Sequence, residues 1–250
     1  MKKILFIVIF MAFVCNNGYS QMRMPGQWSL MIEGNVNMNH GLSYAMRGTN
    51  DEFLADIAND YLNYRYPFAD RNAFSSYIGA QLAYRFPESD WSVYGDVSMT
   101  LFYTWDYIGF LNHVDAGMPI FSFTPGVEYT VGDPLELWNF FARAGISSNL
   151  IFGWVDYVGN EVYVNPGIRF GLDLAAGGRL NIPHTPLALE TSINYSNINI
   201  IGKNFVMPDV QPNDEIIERH LNDAKNPNDP RDDDKTIDYL GFRIGLRLWF

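Results

Sequence analysis

The chain has 250 residues, of which 48% are hydrophobic, 16% aromatic and only 18% charged, with a formal net charge of −11. That aromatic share excludes a disordered chain, and an acidic balance without a basic run argues for no nucleic acid among the partners. A single cysteine excludes a disulfide scaffold and any Cys-based zinc cluster.

Residues 1–20 read as a signal peptide. Lys2 and Lys3 precede an apolar run from Ile4 to Cys15, and Gly18 and Ser20 place small residues two apart before Gln21. The run is shorter than the ~20 residues that a membrane-spanning helix needs. Lipoprotein sites favour a small residue before the cysteine, and Val14 stands there instead. Cleavage after Ser20 would leave one domain, 21–250, with a charge lowered to −13 by loss of the two lysines. No later segment resembles a transmembrane helix, so export leads to a soluble protein or to a membrane β-barrel.

From Trp28 onward the pattern has a period of two, which places alternate residues on opposite faces of a strand. Taken in chain order, the alternating stretches are 28–39, 77–86, 91–105, 121–131, 138–149, 166–176, 187–196 and 239–250. The last is the clearest, with Leu240, Phe242, Ile244, Leu246, Leu248 and Phe250 against Tyr239, Gly241, Arg243, Gly245, Arg247 and Trp249. These are eight strands near the ~9–11 residues of a tilted membrane strand. The polar parity carries Glu33, Asp96, Glu128, Asp173 and Glu190 against Arg85, Arg143, Arg169, Arg243 and Arg247. The apolar parity carries no charge.

Two barrels satisfy that alternation: a membrane barrel with the apolar face outward, or a soluble lipocalin-like barrel turned the other way. Three features favour the first. Connections alternate between short (87–90, 132–137) and longer (40–76, 106–120, 150–165, 197–238), with 177–186 intermediate, as in outer-membrane barrels. Tryptophans sit at strand ends: Trp28, Trp91, Trp138 and Trp249 on the short-turn side, Trp105 and Trp154 on the long-loop side, as two aromatic girdles would place them. Phe250 ends the last strand, in the position of a C-terminal signal for the barrel assembly machinery. Pro125 and Pro166 break the pattern, and a bulge at the outer rim would absorb each.

The chain thus resembles the small eight-stranded outer-membrane barrels of the OmpA/OmpX type, and the PorT-like barrels of Bacteroidetes are similar in size. The resemblance covers Trp28 to Phe250 and rests on pattern, loop asymmetry and the terminal phenylalanine. It implies an all-β, antiparallel, up-and-down transmembrane β-barrel in the outer membrane of a Gram-negative bacterium, surrounded by lipid bilayer and lipopolysaccharide. Eight strands leave an interior just wide enough for side chains. The ten charges, with Tyr94, Phe102 and Phe141 on the same parity, are expected to fill it as a charge-paired plug.

The long loops are then expected to carry specificity, including contacts to an envelope protein partner. Phe53, Leu54, Ile57, Ala58, Tyr61 and Leu62 recur at helical spacing behind Thr49 and Asn50, predicting a short amphipathic helix over 51–62. The segment 213–235 is acidic and broken by prolines, and reads as a solvated loop. Its spacing lacks the glycine turn and terminal glutamate of a calcium loop. Asn194-Tyr195-Ser196-Asn197 is similar to the His-x-Ser-Asn motif of lipid A deacylases, but Asn194 replaces the histidine base. His40, His113, His184 and His220 have no fixed serine beside them, so no catalytic, cofactor or metal residues are assigned. The leading expectation is a non-catalytic structural or surface-interaction barrel, within an envelope or secretion assembly. A low-conductance small-solute channel and a lipid-modifying enzyme are the alternatives.

Overall fold

The computed structural model describes residues 26–39, 74–108, 112–132, 136–157, 160–204, 221, 223–225, 227, 234 and 236–250. The proposed signal, the 51–62 helix and most of the acidic loop lie outside the described residues.

Eight antiparallel strands form one closed barrel in sequential order. They are β1 (Gln27–Asn39), β2 (Phe74–Arg85), β3 (Trp91–Ile108), β4 (Asn112–Val131), β5 (Trp138–Tyr157), β6 (Asn160–Asn181), β7 (Leu187–Ile201) and β8 (Asp238–Trp249). Each strand pairs with the next, and β8 returns to β1 through registers such as Ile32↔Leu246. Phe250 completes the closure, since its N–H donates to Trp28 O at 2.9 Å and its carbonyl accepts from Trp28 N at 3.1 Å. Up-and-down order follows from the short turns, because antiparallel neighbours need only a few linking residues.

Two of those turns share one frame. Phe86-Pro87-Glu88-Ser89 and Ile182-Pro183-His184-Thr185 each place proline second and a left-handed residue third, Glu88 at φ 56° and His184 at φ 62°. Proline sets the φ that the second position requires. The Ser89 and Thr185 N–H groups donate back to Phe86 O and Ile182 O at 3.3 and 3.2 Å.

The strands differ from their expected limits mainly at the end opposite these turns. β3 and β4 run on until only 109–111 separates them, and β5 and β6 until only 158–159 does. Two of the expected outer loops, 106–120 and 150–165, are therefore mostly strand, forming hairpins that rise beyond the barrel. β6 also continues through Asn181, so the first half of the expected connection 177–186 is strand as well. Paired backbone groups in a continued ladder satisfy one another, which a loop of equal length would not achieve. Pro166 lies beside a register shift between β5 and β6 near Ile151 and Gly153, as expected of a bulge. Pro125 does not, because it sits in mid-β4 opposite Gly95 within an unbroken β3–β4 register. Its ring faces outward, so its missing N–H disturbs one ladder position and no packing.

The side-chain arrangement decides between the two barrels. Ile32, Ile78, Val97, Phe140, Ile146, Ile193 and Ile244 are exposed on the outside, Ile146 by 66%. Glu33, Glu128, Arg143, Arg179, Glu190 and Arg247 are buried inside, none more than 5% exposed. The apolar face points out and the charged face in, which is the inverse of a soluble barrel.

Candidate functional site

The interior is built in layers, and each layer follows from strand parity. On β4, β5, β6, β7 and β8, inward positions in the half towards the short turns supply Glu128, Arg143, Arg179, Glu190 and Arg247. These five converge on the barrel axis. Arg143 Nε donates to Glu128 Oε2 at 2.6 Å, and Arg179 Nη2 donates to Glu128 Oε1 at 2.8 Å. Arg179 Nε donates to Glu190 Oε1 at 2.6 Å, and Arg143 and Arg247 each form a further ion pair with Glu190. Arg247 also reaches Ser29 Oγ at 2.6 Å and Gln81 Oε1 at 2.7 Å. Removing a guanidinium or carboxylate from water costs several kcal/mol, so such groups persist in an interior only when every one has partners. Aromatic faces complete the shell. Arg143 lies 4.1 Å from the centre of the Phe141 ring, and Arg179 and Arg247 lie 5.2 and 5.4 Å from the Trp249 ring.

The next layer holds Glu33, Asp96, Asp173 and Arg243. Arg243 Nη2 donates to Asp173 Oδ2 at 2.7 Å and Arg243 Nη1 approaches Glu33 Oε1 at 3.4 Å. The Tyr77 hydroxyl donates to Glu33 Oε1 at 2.6 Å and also lies 3.2 Å from Asp96 Oδ1. Ser196 donates to Asp173. Tyr94 crosses this level through space that only glycine leaves, because a Cβ on Gly126 or Gly145 would stand 2.5 or 2.7 Å from its ring or hydroxyl.

Towards the outer end the inward residues turn apolar. Phe102, Met118, Ile120, Ile151 and Ile198 form a buried cluster with Leu221 and Ile237, which come from the last connection. The described residues Leu221, Asp223 and Ile237 of this connection are buried there. Arg169 Nε and Nη2 hold Asp223 Oδ2 and Oδ1 in a fork, both at 2.8 Å, and Asn199 Nδ2 adds a third bond of 2.8 Å. The N–H groups of Asp223 and Ala224 both donate to Asn204 O at 3.1 Å.

Several site residues differ from the sequence reading. Arg179 was counted in a connection, yet it extends the inward parity of β6 and is 1% exposed. Continuing that parity through 175, 177 and 179 would have found it. Asp223 was read as part of a solvated loop, yet it is fully buried. No local signal separates it from its acidic neighbours, since only a loop fold brings it to Arg169. Arg85 is inside but apart from the clusters, donating from Nε to Ser89 O at 3.0 Å in the turn below it.

Trp28, Trp91 and Trp138 are exposed on the outside near the short turns, the first two over the cross-strand partners Tyr84 and Tyr129, at 4.9 and 5.0 Å between centroids. Trp249 does not belong with them. It lies on the inward parity of β8 and covers Arg179 and Arg247, because parity rather than position along the strand sets which face a residue takes. Trp154 lies over Gly117, where a Cβ would stand 2.0 Å from its ring. Trp105 is placed opposite Asp115 by register, and its side chain lies outside the described residues.

Ser196 is buried in the middle layer with its hydroxyl on Asp173, and His184 sits in a turn at the far end of β7. The side chains of His40, His113 and His220 lie outside the described residues.

No protein-family model matches the chain, and no curated protein matches it. Among solved structures it is similar to Neisserial surface protein A, at 11% identity over 91% of this chain and 99% of that one, with a TM-score of 0.46. It is also similar to Ail, the attachment invasion locus protein of Yersinia pestis, at 15% identity over 90% and 100% of the chains and a TM-score of 0.42. The N-terminal β-barrel domain of Pseudomonas aeruginosa OprF follows at 9% identity over 90% and 99%, with a TM-score of 0.37.

Proposed function

We propose that this protein is a non-catalytic β-barrel of a Gram-negative outer membrane, closed to solutes, with a structural or surface-interaction role carried by its outer end. The observation that carries this reading is the inversion of the barrel, an apolar outside around an ion-paired inside. In water such an exterior would be an aggregation surface; in lipid it removes the cost of exposing that area. Trp28, Trp91 and Trp138 fit an interfacial girdle on the short-turn side, and Phe250 fits a signal for the barrel assembly machinery. The interior charges, from Glu33 to Arg247, act as a plug. Reconstituted in planar bilayers, the wild-type protein is expected to show no unitary conductance steps. Steps that change with Arg143→Ala or Glu128→Ala would replace this reading with the channel alternative.

The outer end supports an interaction role. β3 runs past its last partner in β2, Phe74↔Tyr103, as far as Ile108. β6 begins at Asn160, well before Phe170 pairs with Ile201 of β7. The upper parts of β3 to β6 thus form a four-stranded blade whose two edges have no strand partner among the described residues. A ladder edge at the end of a sheet is where an extended segment of another chain can add a strand. Membership of an envelope assembly predicts a native mass above one barrel plus its micelle after extraction in mild detergent. A lone barrel in that measurement rejects the assembly.

A further inference from the structure

Between the charged layers and the apolar mouth lies a polar cavity of about 10 Å³, the room of one water-sized occupant. Asp96, Ser98, Ser122, Thr124, Ser147 and Asp173 offer it carboxylate and hydroxyl oxygens, while Ile198 and the Arg243 guanidinium also stand on its wall. We propose that this cavity is a binding site for a single monovalent cation of about the size of sodium, with Asp96 as its charged ligand.

The first support is a charge imbalance. The two central layers hold Arg143, Arg179, Arg243 and Arg247 against Glu33, Asp96, Glu128, Asp173 and Glu190, all buried. Four cations face five anions, so one negative charge has no counterpart. The other two interior arginines are committed elsewhere, Arg169 to Asp223 and Arg85 to the turn at Ser89 and Asp90. The second support locates the deficit. Glu33 and Asp173 share Arg243, whereas Asp96 forms no ion pair with an arginine among the described residues and accepts from Tyr77 at 3.2 Å on Oδ1. Its Oδ2 is buried without any hydrogen-bond partner, and the residue as a whole is only 5% exposed. A bare carboxylate oxygen in an interior costs too much to persist unless a positive charge reaches it. The third support is ligand chemistry. Hydroxyl and carboxylate oxygens suit a hard cation, and a single uncompensated charge with mostly neutral ligands suits a monovalent one.

The other ionisable groups around Asp96 are Tyr77 and Glu33 on its own level, Tyr94 below, and Asp173, Tyr239 and Arg243 across the cavity. A proton on Asp96 is therefore the competing account, and the test separates the two. The refolded barrel is melted in detergent at pH 8 in sodium chloride and in N-methylglucamine chloride at equal ionic strength. A bound cation predicts a saturable rise on the order of 5 °C in sodium, absent in Asp96→Asn. Equal melting of the wild type in both salts overturns the site, as does stability that falls from pH 6 to pH 9 alike in both. Thallium(I) soaked into wild-type crystals gives a readout that needs no variant. An anomalous peak beside Asp96 supports the site, and its absence there overturns it.

Discussion

Glu190 shows how single residues carry the barrel interior. It lies on the inward parity of β7 and receives Arg143, Arg179 and Arg247 together. The surrounding cluster has three guanidiniums to two carboxylates, and that asymmetry makes the two signs respond differently to mutation. Glu190→Gln leaves three cations against Glu128 alone, and is expected to cost on the order of 3–5 kcal/mol. Arg179→Met leaves two against two and replaces a buried stem with an apolar one, so it should cost clearly less. Urea-induced unfolding of both variants in lipid vesicles checks the order, and equal losses would show that the cluster does not act as a charge-balanced unit. Arg179 was readable from parity alone, once β6 is allowed to continue. Asp223 was not, because a buried acid and a solvated one look alike when neither sits in a periodic segment.

At the scale of the element, each strand presents two chemistries on alternate positions, and one residue of slip would exchange them. Val97 illustrates the outward face. It stands in mid-β3 between Ala80 and Phe123, is 63% exposed, and lies six residues from Trp91 at the short-turn end. With lipid at that depth, Val97→Arg should destabilise the barrel by about 2–4 kcal/mol. A change within about 0.5 kcal/mol, ordinary for a water-exposed position, would place that face in solvent. Unfolding titrations in vesicles measure the difference. The inward neighbours Asp96 and Ser98 have the opposite surroundings, although they differ from Val97 by one position. The existence and parity of all eight strands were legible because period-two alternation is a local property. Their outer limits were not, because the extensions Asp106–Ile108 and Asn160–Asn165 alternate weakly and are held by cross-strand pairing.

At the scale of the whole molecule, closure and capping are separate events. Closure needs only β1 to meet β8. Capping needs Leu221 and Ile237 on the apolar cluster and Asp223 locked to Arg169. Asp223→Ala removes the fork and leaves Arg169 buried without its carboxylate. Limited proteolysis should then cut between Asn204 and Ile237 severalfold faster while the barrel itself stays folded. An unchanged digest would mean that Leu221 and Ile237 hold the cap without the ion pair. The sequence by itself determined that the chain forms eight strands with one charge-free face and a balanced set of arginines and acids on the other, because alternation and side-chain chemistry are read position by position. Only the tertiary structure decided how the arginines were shared among the acids, that β6 carries Arg179 into the same cluster, and that Asp223 of an acidic segment is a buried latch. Each of these depends on which strands meet across the barrel and on where a non-periodic segment packs, and neither is encoded in any local stretch of residues.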